Sequence, residues 1–102
     1  MKFVLNTTLH AIYANGTLFV PGTNKAEKVD EKALDPFIKN GDLEIIDSSK
    51  ASAEDKKKAV NNANTSSILN DVKKEFKDVD VTKQEEKIKK FEKEVRDFNS
   101  KG

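Results

Sequence analysis

Cysteine and tryptophan are missing from these 102 residues, and histidine, tyrosine and arginine occur once each. The lack of cysteine excludes disulfides, thiolate zinc sites and thiol nucleophiles together, and it fits a reducing compartment. His10 has neither a cysteine nor a second histidine with which to build a nucleophile–base pair or a metal site. It is expected to be a polar, outward residue on a strand. The four glycines stand at turns and at the terminus, not in the spaced clusters that cradle phosphates. No run approaches the roughly 18 apolar residues of a membrane span. Asn6, Thr7, Thr8 and His10 interrupt the N-terminal stretch that a signal peptide needs. From these absences we expect a soluble, non-secreted, cytoplasmic protein that is not an enzyme and has no cofactor, no metal and no membrane partner.

A charge excess of one sign is also lacking. Nineteen Lys and Arg face eighteen Asp and Glu, for a net charge of +1. At 36% charged and 35% hydrophobic the chain is polar, yet not so polar that disorder of the whole is expected. Its length suits one compact domain or two very small ones. The halves differ: residues 1–47 carry a net −2 and residues 48–102 a net +3. Small polar residues, "DSSKAS", lie between them. The expected organisation is α+β, with a β-rich part at 1–47, a polar linker with a helical turn or two at 48–65, and a helix-extended-helix module at 66–102.

The first part reads β-β-β-α-β. Lys2–Ala14 is one long strand or two short ones. Asn15-Gly16 favours positive φ at both central positions of a two-residue type I′ turn. That turn sets Tyr13 opposite Leu18 and Ile12 opposite Phe19. Both faces carry apolar groups, so pattern alone leaves the buried face open. Pro21-Gly22 suits a type II turn. Asp30 is a good N-cap, and Val29 and Leu34 make a hydrophobic staple around it. Pro36 implies either a kink or a restart of the helix at Asp35-Pro36. Asn40-Gly41 stops it, and "LEII" (43–46) forms a last strand.

In the second part Ile68, Leu69, Val72 and Phe76 recur at helical spacing. "DVDV" (78–81) is an extended link, and Thr82 with Glu85 forms a capping box. Ile88, Phe91, Val95 and Phe98 make a narrow stripe. Its simplest role is a core face against the preceding helix. Phe98 reaches beyond what that helix can cover, which leaves room for a partner helix or a second copy.

Two resemblances attach to particular residues. Gly16, Phe19, Pro21, Gly22, Gly41 and Glu44 match a hairpin, helix and strand pattern that recurs in small phage and prophage proteins. Ile68, Leu69, Val72, Val81, Thr82, Lys83 and Ile88 resemble the helix-extended-helix (HeH/LEM, SAP-like) module. A β-rich front joined to such a module is similar to the YqbF-like prophage proteins. Two positions depart from the pattern: Pro36 sits where such helices run on, and Glu85-Glu86-Lys87 replaces the usual Lys-x-Glu-Leu. The resemblance implies a phage-derived gene with a structural or interaction role in virion assembly, hence a cytoplasmic or virion-associated protein, in which the partner is a phage structural protein or a second copy.

Lys73, Lys74, Lys77, Lys83, Lys87 and Lys90 are the candidate nucleic-acid contacts, since SAP-type modules place such groups at DNA phosphates. Against that reading, Glu85–Lys89, Glu86–Lys90 and Glu92–Arg96 are spaced i,i+4 in the favourable order and neutralise one another. A self-paired, solvated surface is therefore the expected reading. The carboxylates are dispersed. Asp30, Glu31 and Asp35 favour the start of a helix. "NDVKKEFKDVD" lacks the glycine and final glutamate of a calcium loop.

Overall fold

The structure is a computed structural model that describes residues 2–26 and 30–101, with side chains as far as Val95 in the last helix. Among the described residues five strands and four helices make an α+β fold: β1 Lys2–Asn6, β2 Ile12–Ala14, β3 Thr17–Phe19, β4 Gly22–Ala26, α1 Glu31–Lys39, β5 Leu43–Asp47, α2 Ala53–Asn61, α3 Ser66–Glu75 and α4 Thr82–Lys101. β1 is the middle strand of an antiparallel sheet ordered β4-β1-β5, and β2-β3 is a separate hairpin. Lys2–Ala14 is therefore two strands joined by a loop. His10 lies in that loop, exposed, and not on a strand.

The hairpin has the expected register, Ile12 opposite Phe19 and Tyr13 opposite Leu18. Asn15 at φ 51° and Gly16 at φ 75° supply the two left-handed positions of a type I′ turn. The structure settles the face: Ala14 and Phe19 are buried, whereas Tyr13 and Leu18 point outward. Gly22 has φ 98°, as Pro-Gly requires. The strand after it, β4, was not expected. "GTNKA" is poor in β-formers, and it pairs because Pro-Gly returns the chain alongside β1, with Asn6 opposite Gly22 and Lys2 opposite Ala26.

Asp30 caps α1, its carboxylate accepting from Lys32 N at 3.1 Å. The Val29 half of the expected staple lies outside the described residues. α1 runs through Pro36 as one helix without restarting at Asp35. The helix ends in a Schellman pair, Gly41 N to Ile38 O at 3.0 Å and Asp42 N to Phe37 O at 2.9 Å, with Gly41 at φ 81°.

Alternation along the sheet separates two apolar layers. Val4 and Leu43 pack with Ala14, Phe19 and Leu34 under α1 and the hairpin. On the opposite face Phe3 and Ile46 pack with Ala59, Val60, Ala63, Leu69, Val72, Phe76 and Ile88 from α2, α3, α4 and the α2–α3 link. The Phe3 and Phe76 rings meet at 5.9 Å between centroids and 49° between planes. These contacts cross the compositional boundary at residues 47–48. The stretch 48–65 holds α2, which starts with a Ser52–Asp55 capping box. Its exit is tied to the Pro21-Gly22 turn. Thr23 N donates to Asn62 O at 2.8 Å, and Asn64 Nδ2 donates to Pro21 O at 2.7 Å.

Candidate interaction surfaces

Three surfaces qualify for contact with other molecules. The first is the outer face of the hairpin. Tyr13 (71% exposed) and Leu18 (56%) are cross-strand neighbours. Val20, two residues beyond Leu18 and 47% exposed, continues the row. Asn6 holds this hairpin onto β1. It is 2% exposed, and its Nδ2 donates to His10 O at 2.8 Å and Phe19 O at 2.9 Å. Its Oδ1 accepts from Thr8 N at 2.9 Å and Thr8 Oγ1 at 2.7 Å. Every polar position of the amide is used, so burial leaves none of it unsatisfied. A single asparagine at a strand end carries no sequence signal for this role.

The second surface is α4. Of the expected stripe only Ile88 is buried; Phe91 is 61% and Val95 42% exposed, and the Phe98 side chain lies outside the described residues. The reason is length. At 1.5 Å per residue, ten-residue α3 cannot follow twenty-residue α4 past its first half. Gln84 donates to Ala63 O at 2.7 Å and fastens the start of α4 to the α2–α3 link. Glu92 accepts from Ser66 Oγ at 2.9 Å and so holds the start of α3. Between these fastenings a groove of about 370 Å³ is lined by Ala63, Asn64, Gln84, Lys87, Ile88 and Phe91.

The six candidate lysines, Lys73, Lys74, Lys77, Lys83, Lys87 and Lys90, are all exposed. No ion pair among the described residues uses any of them. Of the expected helical pairs, Glu85–Lys89 forms at 3.2 Å. Arg96, the expected partner of Glu92, has its side chain outside the described residues. Thr82 is the first residue of α4, not its cap: Val81 precedes it, its carbonyl accepting from Glu85 N at 2.8 Å, and Asp80 Oδ1 accepts from Thr82 N at 2.9 Å. That hydrogen bond holds the Asp80 carboxyl below its ordinary value. Asp78 is likewise lowered by its bond to Lys56, 3.2 Å away.

The third surface is a groove of about 490 Å³ beside β5, between α1 and the start of α2, lined in part by Glu31, Asp35, Glu44, Asp47 and Asp55. Each carboxylate is held by its own neighbours. Lys2 bonds Glu31 at 2.9 Å and is raised in pKa by that bond. Asp47 accepts from Ser49 Oγ and N, and those bonds lower it. Among the described residues no three acidic or histidine groups converge as metal ligands. No described helix is long and apolar enough to cross a membrane. Set against protein-family models, curated proteins and solved structures, the chain matches none.

Proposed function

We propose that this chain is a non-enzymatic interaction protein that seats a protein partner on the outer face of β2–β3. The observation that carries it is the row Tyr13, Leu18 and Val20. Three sizeable apolar side chains stand outward on a hairpin whose other face already fills the core. Contiguous exposed apolar side chains of this kind mark contact surfaces. Asn6 and the type I′ turn hold them on a fixed backbone. In its finer form the proposal is a phage- or prophage-derived structural component of virion assembly, for which the support is the motif resemblance alone. A photo-cross-linking residue at position 18, expressed in the native host, tests both. Adducts with one defined protein, lost when Tyr13→Ser is added, support the reading, and a capsid, portal or tail protein as that partner supports the finer form. No adduct from position 18 overturns it.

A second reading is DNA binding through the C-terminal helices. It is favoured by the exposure of Lys73, Lys74, Lys77, Lys83, Lys87 and Lys90 and by their absence from the described ion pairs. Titration of labelled duplex and single-stranded DNA separates the two. With a net charge of +1, we expect only non-specific affinity, about 10⁻⁴ to 10⁻⁶ M at physiological salt. Sub-micromolar binding that weakens steeply with salt, and is abolished by changing Lys83, Lys87 and Lys90 to Gln, makes DNA the primary partner.

A further inference from the structure

β5 is an edge strand, and its register shows which of its backbone groups are unused by the sheet. Thr7 N donates to Asp42 O at 3.0 Å, so residues 7 and 42 stand at a bonded position of the ladder, although Asp42 N goes to Phe37 O. Bonded and non-bonded pairs alternate along an antiparallel ladder. Leu5 with Glu44 and Phe3 with Ile46 are therefore the next bonded pairs, and Val4 with Ile45 is a non-bonded one. The N–H and C=O groups of Leu43, Ile45 and Asp47 consequently point away from β1. Asp47 O is taken by Lys50 N at 3.0 Å. Ile45 is left at the centre of the edge, and it lines the groove beside it.

Unpaired edges of this kind are templates for an added strand. The groove walls say which strand. Ile38 and Ile45 give an apolar floor. Glu31 and Asp35 stand on the α1 side, and Glu44 and Asp55 on the α2 side. Among the described residues Lys50 is the one cation in the lining. Three of the carboxylates have lysine partners from outside the groove: Lys2 on Glu31, Lys39 on Asp35 and Lys58 on Glu44. These pairs are exposed and screened by solvent, so a ligand's ammonium can replace them at little cost. A second copy of this chain is a poor occupant, because two β5 edges paired across a two-fold axis bring both sets of carboxylates together.

We propose that the open edge of β5 takes an extended, lysine- or arginine-containing peptide as a fourth strand. The backbone of Ile45 supplies the pairing, and the carboxylates on either side select for positive charge. This surface is separate from the hairpin face, so failure of cross-linking through position 18 leaves it standing, and the reverse also holds.

The test uses the full chain, ¹⁵N-labelled, titrated at low salt with a blocked eight-residue peptide of alternating Lys and Val. We expect amide shifts centred on Leu43–Asp47 and slowed exchange at the Ile45 amide. The same peptide N-methylated at alternate residues loses two or more backbone hydrogen bonds and should bind at least about tenfold more weakly. A Glu-Val peptide should not bind. Glu31→Gln with Asp35→Asn, both on the surface of α1, should weaken the Lys-Val peptide severalfold without moving the unfolding midpoint by much. Four results overturn the proposal: equal binding of the N-methylated peptide, which leaves charge attraction without a strand; equal binding of the Glu-Val peptide; concentration-dependent shifts of the same amides without peptide, which mean self-pairing; and no shift at millimolar peptide, which means that the acidic rim guards the edge against pairing.

Discussion

Replacing Asn6 by Asp changes one atom of the buried amide and almost nothing of its shape. The Oδ1 bonds to Thr8 N and Thr8 Oγ1 survive. The Nδ2 donor to His10 O and Phe19 O becomes an acceptor facing two carbonyls at 2.8 and 2.9 Å. Two hydrogen bonds are lost, and a buried acceptor left unsatisfied costs about 1–3 kcal/mol. A carboxylate in this place resists ionisation, because it is buried and its second oxygen faces two carbonyl oxygens. Its pKa in the folded state must rise above its unfolded value. A loss of about 3 kcal/mol at neutral pH is the expected sum, large against the 5–15 kcal/mol typical of a domain. With a urea slope of about 1.5 kcal/mol/M for a small protein, the midpoint falls by about 2 M. The sign of the pH dependence follows. An acid with a raised folded pKa penalises folding above its unfolded pKa, so the deficit of Asn6→Asp should shrink as pH drops toward 4, where the protonated group regains a donor. Urea unfolding of parent and variant at pH 7 and near pH 4 measures both effects. An unchanged midpoint at pH 7 refutes the role given to Asn6, and a deficit that ignores pH refutes its burial.

Two glycines with positive φ should separate cleanly. A Cβ at Gly16 meets nothing, so Gly16→Ala costs only backbone strain, about 1 kcal/mol, whereas a Cβ at Gly22 runs into Asn62 O and the Asn64 side chain; thermal melts should show Gly22→Ala as much the worse. On α4, Ile88→Ala should cost about 2–4 kcal/mol, and Phe91→Ala and Val95→Ala under about 0.5 each, because only Ile88 is buried; equal losses at all three in denaturant unfolding would mean that Phe91 and Val95 are covered in solution. A fragment of residues 1–47 strips the helices from Phe3 and Ile46, which are now 0% and 1% exposed, and circular dichroism should show it largely unfolded. Asp47, Asp78 and Asp80 all sit below their ordinary 3.8; their contribution is full above that value and lost as pH falls through their lowered folded values, so stability should decline with acidification below about pH 4.

What the sequence shows most clearly is local. Asn15-Gly16, Asp30 and Asn40-Gly41 specify backbone conformations within a few residues of themselves, and each stands where the pattern puts it. The strand β4 was hidden because Thr23, Asn24 and Lys25 have no β-pattern, and a strand held by its neighbour's register leaves no mark in its own composition. The role of "NNAN" was hidden for a related reason. Polar residues read as a linker, yet here the Asn64 side chain donates to Pro21 O and the Asn62 backbone carbonyl accepts from Thr23 N. On α4 the stripe was visible, but how far α3 covers it depends on a neighbour's length, which periodicity within α4 does not encode. The surfaces were less legible still. The outward face of the hairpin followed only once Phe19 was known to be inside. The β5 groove draws its carboxylates from three elements between Glu31 and Asp55, a grouping that only the fold creates.

The same logic ranks the surfaces. A groove on α4 borders Phe91, but nothing among the described residues there defines a partner. The hairpin and the β5 edge differ from it in rigidity. The hairpin is pinned through the satisfied Asn6 amide and a turn that only a few residue types tolerate. β5 is bonded along its whole length to the central strand. A rigid surface loses little conformational freedom on binding, so more of its contact energy appears as affinity. The two offer different chemistry, apolar side chains at one and backbone groups with carboxylates at the other. If both are used, the chain joins two partners through β1, which carries both the hairpin and β5. The hairpin hangs on β1 through Asn6, and β1 pairs directly with β5. Asn6→Asp should then weaken contact at the hairpin more than at β5. Under conditions where the variant is still mostly folded, cross-linking through position 18 should fall while Lys-Val peptide binding holds. Equal loss at both sites would show that the sheet and hairpin behave as one unit.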